Sequence, residues 1–226
     1  MSGIINITDD ALHVERHLAH YHQNPNATTV GIDGTANTAT QFGATLTLVQ
    51  DTTGEYINYL SANPSGSNWG IRTTNFTEFS GATSPVWMCS GKTGASASDL
   101  TNLRMWIGMC NSNPVGSDNP GVIPMAMFRY ATDVDGTAFW RTVTDDGASS
   151  TITTTTVAVA INTRYEFRIE WLRAGSIDFF INQKLVASHT TNLPSATALM
   201  GWLYEGGSTA NGTKNWLWHR TAYEQG

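Results

Sequence analysis

The stretch Tyr165-Glu166-Phe167-Arg168-Ile169-Glu170-Trp171 constrains the fold more than any other part of the chain. Aromatic and aliphatic side chains take the odd positions, and charges of alternating sign take the even ones. Such period-two patterning predicts a strand with one face in a core and the other toward water. A second strand is predicted beyond Arg173-Ala174-Gly175, with Ile177, Phe179 and Ile181 on its apolar face. Asn182-Gln183-Lys184 then turns the chain into Leu185-Val186-Ala187. A sheet that is apolar on one side needs another layer to cover it.

The same reading extends over most of the sequence. Residues 44–50 and 55–61 alternate around Asp51-Thr52-Thr53-Gly54 and predict a hairpin. Further strands are expected over 68–79, 85–90, 103–111, 125–132, 137–144, 150–159, 198–204 and 214–223. Asp135-Gly136 and Asp146-Gly147 are hairpin-turn signals, and residues 112–120, with two prolines, are expected to form a long loop. With neither an internal repeat nor a linker, residues 28–226 are expected to form a single all-β sandwich or jelly roll.

Residues 1–27 read differently. Thr8-Asp9-Asp10 opens a short helical pattern that runs to about His22, with Val14, Leu18 and Tyr21 on one stripe, and Asn24-Pro25-Asn26 ends it. A helix this short does not hold alone in water. The segment is therefore expected to be an interaction arm that docks Ile4, Ile5, Ile7, Val14, Leu18 and Tyr21 on a partner.

Composition narrows the function. Hydrophobic residues make up 40% of the 226 and include eight Trp, ample for a core, while charged residues are only 13%, against about 25% in an average soluble domain. A surface of Ser, Thr, Asn and Gly suits flat sheets and protein contacts. The net charge of −6 and a pI near 5.4 argue against nucleic acid. No apolar run approaches the roughly 20 residues needed to span a bilayer. The first residues lack the basic region of a secretory leader, so synthesis in a reducing cytoplasm is expected. Cys89 and Cys110 are too few for a disulfide framework or a four-ligand zinc site, and both are expected to be reduced core thiols.

Leu103-Arg104-Met105-Trp106-Ile107-Gly108, Phe128-Arg129-Tyr130, Asp146-Gly147 and Asn162-Thr163-Arg164-Tyr165-Glu166-Phe167-Arg168-Ile169-Glu170 together resemble a concanavalin A-like jelly-roll module. The run from Phe179-Phe180-Ile181-Asn182 through Leu193-Pro194 completes the likeness, which covers roughly residues 100–205. The family is frequent in structural proteins of tailed bacteriophages, in capsid-decorating proteins and in tail appendages. The resemblance implies a virion structural protein at the capsid surface, decorating or cementing it by binding the major capsid protein, as a homo-oligomer. Its alternative is a carbohydrate-binding, lectin-like module of a tail fibre or spike, with a glycan as ligand. One departure is Gln183, where the family often has Gly.

Jelly-roll glucanases carry a signature resembling Glu-x-Asp-x-Glu, and Glu166 and Glu170 stand at its spacing. Arg168 replaces the central Asp. A guanidinium there pairs with the flanking carboxylates, whereas a general acid needs a carboxyl kept protonated. A charge ladder on an exposed face is therefore expected, with no catalytic residue, no cofactor and no enzymatic activity. His13, His17 and His20 share a helical face with metal-ligand spacing, but a polar face on an interface helix is the more ordinary reading. His189 and His219 have no paired ligand pattern. Asp133-Val134-Asp135-Gly136 begins like a calcium loop but lacks the later Glu, so a turn is expected and no metal. Trp216 and Trp218 share one strand face, which suits sugar stacking, but core burial is expected. Neither Gly-x-Ser-x-Gly nor a phosphate-loop motif occurs.

Overall fold

In the computed structural model the described residues are 17–21, 29–31, 38–42, 45–52, 54–73, 76–114, 122–136, 138–172 and 175–225. Strands β1 (His17–Tyr21), β2 (Thr29–Gly31), β3 (Thr38–Phe42), β4 (Thr45–Asp51), β5 (Gly54–Leu60) and β6 (Asn68–Thr73) come first. They are followed by β7 (Phe79–Ser80), β8 (Val86–Thr93), β9 (Leu103–Cys110), β10 (Met125–Ala131), β11 (Phe139–Asp145) and β12 (Ser150–Ala158). The last are β13 (Arg164–Leu172), β14 (Ser176–Ile181), β15 (Lys184–His189), β16 (Leu199–Ser208) and β17 (Asn215–Gln225).

These strands form two sheets, and every described pairing is antiparallel. The first sheet has the order β15-β14-β13-β8-β17-β5-β4, with β1 also on β17. The second has the order β12-β11-β10-β9-β16-β6-β3-β2, with β7 also on β16. Among the described residues there is no α-helix.

The alternation in β13 works as its sequence predicts. Phe167 and Ile169 are buried, in register with Ile181 and Phe179 of β14, which are buried too. Phe128 of the second sheet meets both phenylalanines, with ring centroids 4.9 Å from Phe167 and 5.4 Å from Phe179. Trp140 closes on Phe167 at 4.9 Å and on Trp216 at 6.0 Å. Burial of each large aromatic stabilises by about 1.5–3 kcal/mol, so this cluster is the main apolar contribution to the fold. Trp216 and Trp218 are both in this core. Glu166, Arg168 and Glu170 alternate onto the outer face, where Arg164 pairs with Glu166 at 3.0 Å and Arg168 with Glu170 at 3.2 Å. Cys89 lies between the sheets and Cys110 in a separate cluster on the second sheet, and neither forms a disulfide.

The helix expected over residues 8–22 is corrected where the structure describes it. Residues 17–21 are a strand whose register pairs Leu18 with Glu224 and Tyr21 with Thr221 of β17. A short isolated helix is marginal, whereas a sheet edge offers ladder partners to every second backbone group. The helical spacing of the histidines therefore fails at His17 and His20. Ile4, Ile5, Ile7, His13, Val14 and His22 lie outside the described residues.

The β14–β15 turn is of the tight left-handed kind, with φ of 50° at Asn182 and 66° at Gln183. A residue other than glycine is strained there by about 1 kcal/mol. Gln183→Gly is expected to raise stability by about that much in a thermal or urea melt, and an unchanged or lower melting temperature would count against the turn geometry.

His189 ties the two sheets together. Its Nε2 lies 3.0 Å from Thr142 Oγ1 and 3.1 Å from Thr153 Oγ1, and its Nδ1 lies 2.9 Å from Thr144 Oγ1. Burial against the Phe179 ring, with only threonine hydroxyls as hydrogen-bond partners among the described residues, lowers its pKa from 6.5 to about 4. A base depressed on folding stabilises the fold above its unfolded pKa and loses that contribution as pH falls. Stability is expected to drop between pH 6.5 and 4 by on the order of 3 kcal/mol through this group. The drop should shrink in His189→Gln, as read by urea melts across that window.

Candidate functional site

The second sheet carries charge where its strands are otherwise apolar. Across it, the register places Gly70 of β6 opposite Glu205 of β16, Glu205 opposite Trp106 of β9, Trp106 opposite Arg129 of β10, and Arg129 opposite Arg141 of β11. Directly paired residues project to the same side of a sheet. Met105 and Ile107, the neighbours of Trp106, are in the inter-sheet core. The row Glu205–Trp106–Arg129–Arg141 therefore lies on the outer face. That face is covered: every residue of β9 and β10 is buried. Phe76 and Ile123 pack over Trp106, Met125, Met127 and Leu203.

The β10–β11 turn braces the arginines. Arg129 Nε donates to Asp135 Oδ2 at 3.0 Å and its Nη2 donates to Oδ1. Arg141 Nη2 donates to the Asp135 carbonyl oxygen at 3.2 Å, and its Nε lies 3.1 Å from Oδ1. Arg104 Nη2 donates to Asp133 Oδ2 at 2.9 Å. The acidic pair of this turn is thus engaged by guanidinium groups. Arg129 also lies over the Trp106 ring, 5.4 Å from its centroid. The Trp106 Nε1 is buried and has no hydrogen-bond partner among the described residues.

Glu205 is fully buried. Its Oε2 accepts from Asn113 Nδ2 at 2.8 Å and its Oε1 from Arg72 Nη1 at 3.4 Å. Burial raises its pKa from 4.5 to about 8, against the opposing pull of Arg72 and Asn113. It therefore holds a proton at neutral pH, which makes it a donor as well as an acceptor. The strand opposite must be glycine here: Gly70 has φ of +137°, and a Cβ on it would lie 2.2 Å from the Tyr204 carbonyl oxygen and 3.1 Å from Glu205 Cγ.

The row reaches solvent at its far end. Arg141 is partly exposed, Phe139 on the same strand is 40% exposed, and Thr154, paired with Arg141, is exposed. A cavity of about 220 Å³ lined by Tyr130, Thr132, Gly136 and Ala138 adjoins the turn.

The sequence-predicted pair Glu166 and Glu170 lies on the other sheet. Glu205, Trp106, Arg129 and Arg141 escaped sequence reasoning because they come from four strands. A usable signal was present: Arg129 stands inside Met125-Ala126-Met127-Phe128-Arg129-Tyr130-Ala131, where a charge interrupts a run apolar at both parities. Among the described residues, no group of three or more His, Cys, Asp and Glu side chains is placed to hold a metal ion.

No family model matches the chain, and no curated protein matches its sequence. Solved structures match its shape. The Bacillus licheniformis beta-glucanase has a TM-score of 0.54 at 9% identity, over 95% of this chain and 99% of its own. The carbohydrate recognition domain of Emp47p has 0.57 at 8%, over 83% and 88%. The carbohydrate esterase of the Shiga toxin-encoding bacteriophage phi24B has 0.56 at 15%, over 83% and 89%. At such identities the likeness defines the fold: the chain is a concanavalin A-like jelly-roll β-sandwich. The expectation that it is not an enzyme is corrected by the same likenesses. A beta-glucanase and a carbohydrate esterase are built on this fold, and Arg168 bears only on the Glu166–Glu170 pair.

Glu205 gives a pH signature opposite in sign to that of His189. A carboxyl raised on folding stabilises fully below its unfolded pKa of 4.5 and loses that contribution as pH rises through about 8. Glu205→Gln is expected to flatten the decline in stability between pH 4.5 and 8. An unaltered slope in that variant would mean that Glu205 is ionised in the fold.

Proposed function

We propose that this protein is a carbohydrate-recognition module, carried on a phage tail fibre or spike. The observation that carries the reading is the braced outer-face row that emerges at Arg141 beside Phe139 and Thr154. Sugars are bound by fixed planar hydrogen-bonding groups next to an apolar ring, and both are present there. The fold it shares with a carbohydrate recognition domain and a phage carbohydrate esterase supports the reading. The phage setting rests on the resemblance of residues 100–205 to phage structural modules. On an array of host-surface glycans the protein is expected to bind a discrete set, and Phe139→Ala to weaken binding at least tenfold without lowering the melting temperature. Failure to bind any glycan would sink the reading.

A second reading, decoration of the capsid through the major capsid protein, draws on exposed apolar side chains: Val122, Leu185 and Leu199 are each at least half exposed. Because β1 belongs to the sandwich, the arm in this reading is limited to residues 1–16, with Ile4, Ile5, Ile7 and Val14. Co-sedimentation with undecorated heads, lost on removal of residues 1–16, is the outcome that would favour it.

A further inference from the structure

The chemistry of the row points to a class of sugar, an inference that rests on the glycan-binding reading above. Asp135 is a single carboxylate serving two guanidinium groups, Arg129 and Arg141, and no other carboxylate among the described residues contacts either. Arg104 is matched separately by Asp133. Among the described residues, two cations and one anion leave an unmatched positive charge on a largely covered face, which is costly unless an anion completes it.

Glu205, Asp145 and Cys110, other titratable groups described on this face, do not supply that anion. Burial keeps Glu205 protonated at neutral pH, and its contacts are Asn113 and Arg72. Asp145, further along β11, accepts from the Gly147 amide at 2.7 Å and the Ser150 hydroxyl at 2.9 Å. The Cys110 thiol is raised well above its ordinary range by burial and so stays neutral.

Arg129 and Asp135 are buried, whereas one fifth of the Arg141 side chain is exposed. An anion arriving from solvent therefore meets Arg141, in a guanidinium plane already fixed by Asp135. Phe139 stands two residues earlier on β11, and among the residues whose exposure is described it is the one exposed aromatic side chain, at 40%. Its ring offers an apolar surface to the C–H face of a pyranose. The Thr154 hydroxyl is on the adjacent strand. We propose that Arg141, seated on the Arg129–Asp135 brace and flanked by Phe139 and Thr154, binds the carboxylate of an acidic sugar in a glycan chain. Guanidinium and carboxylate match in planar, charge-assisted hydrogen bonding.

The test is calorimetric titration of the full chain with an oligogalacturonate, a sialylated oligosaccharide and a neutral gluco-oligosaccharide. An acidic ligand is expected to bind at least tenfold more tightly than the neutral one, with affinity falling as salt is raised. Arg141→Gln should abolish that preference, and Phe139→Ala, which removes a partly exposed ring, should weaken binding with the fold intact. Which acidic ligand binds separates a uronate from a sialate. Neutral binding that is as tight, insensitive to salt and unaffected by Arg141→Gln overturns the acidic-sugar assignment and leaves the glycan reading standing. Absence of binding to all three, together with a silent glycan array, overturns both.

Discussion

Phe128 of the second sheet lies against Phe167 and Phe179 of the first, and this contact fixes more than the packing of three rings. A strand slipped by one residue exchanges its two faces. Once Phe167 and Ile169 are committed to the core, Glu166, Arg168 and Glu170 must lie outside. Once Ile107 and Met105 are committed from the other side, Arg104 and Trp106 must lie on the opposite surface. The inter-sheet core therefore sets the position of every polar group discussed here, including those that never touch it.

The two outer faces then diverge. On the first sheet the ladder of Arg164, Glu166, Arg168 and Glu170 is partly exposed, and such surface pairs contribute little. On the second sheet β9 and β10 are buried on both sides, so the charges they carry call for partners. Asp133 and Asp135 are supplied for this by a tight turn, and Asn113 reaches Glu205 from the loop after β9. A covered, hydrogen-bonded row is rigid, which suits binding groups that must be held in place before a ligand arrives.

Burial also sets two titrations in opposite senses. His189 is held neutral among three threonine hydroxyls, and Glu205 is held protonated on the outer face. One favours the folded chain at higher pH and the other at lower pH. The two act on different parts of the molecule, the seam between sheets and the outer row.

Local pattern was enough to read the strands. The alternation in 165–171, the Asp146-Gly147 turn and the absence of a second helical pattern each follow from how neighbouring residues sit on a pleated backbone, and they led to the sandwich. Burial of Phe167, Ile169, Phe179 and Ile181 was legible for the same reason. Gln183 stood out through the resemblance, as a departure from a frequent Gly, and the positive φ behind that preference is a local constraint. The helical pattern was misread at residues 17–21, since a stripe of Val14, Leu18 and Tyr21 does not reveal that β17 offers an edge. The outer-face row was hidden too. Trp106, Arg129, Arg141 and Glu205 are as many as 99 positions apart in the chain, from 106 to 205, and only strand order and register bring them into line. Spacing along a strand is written in the sequence, but adjacency across a sheet arises only when the sheet closes.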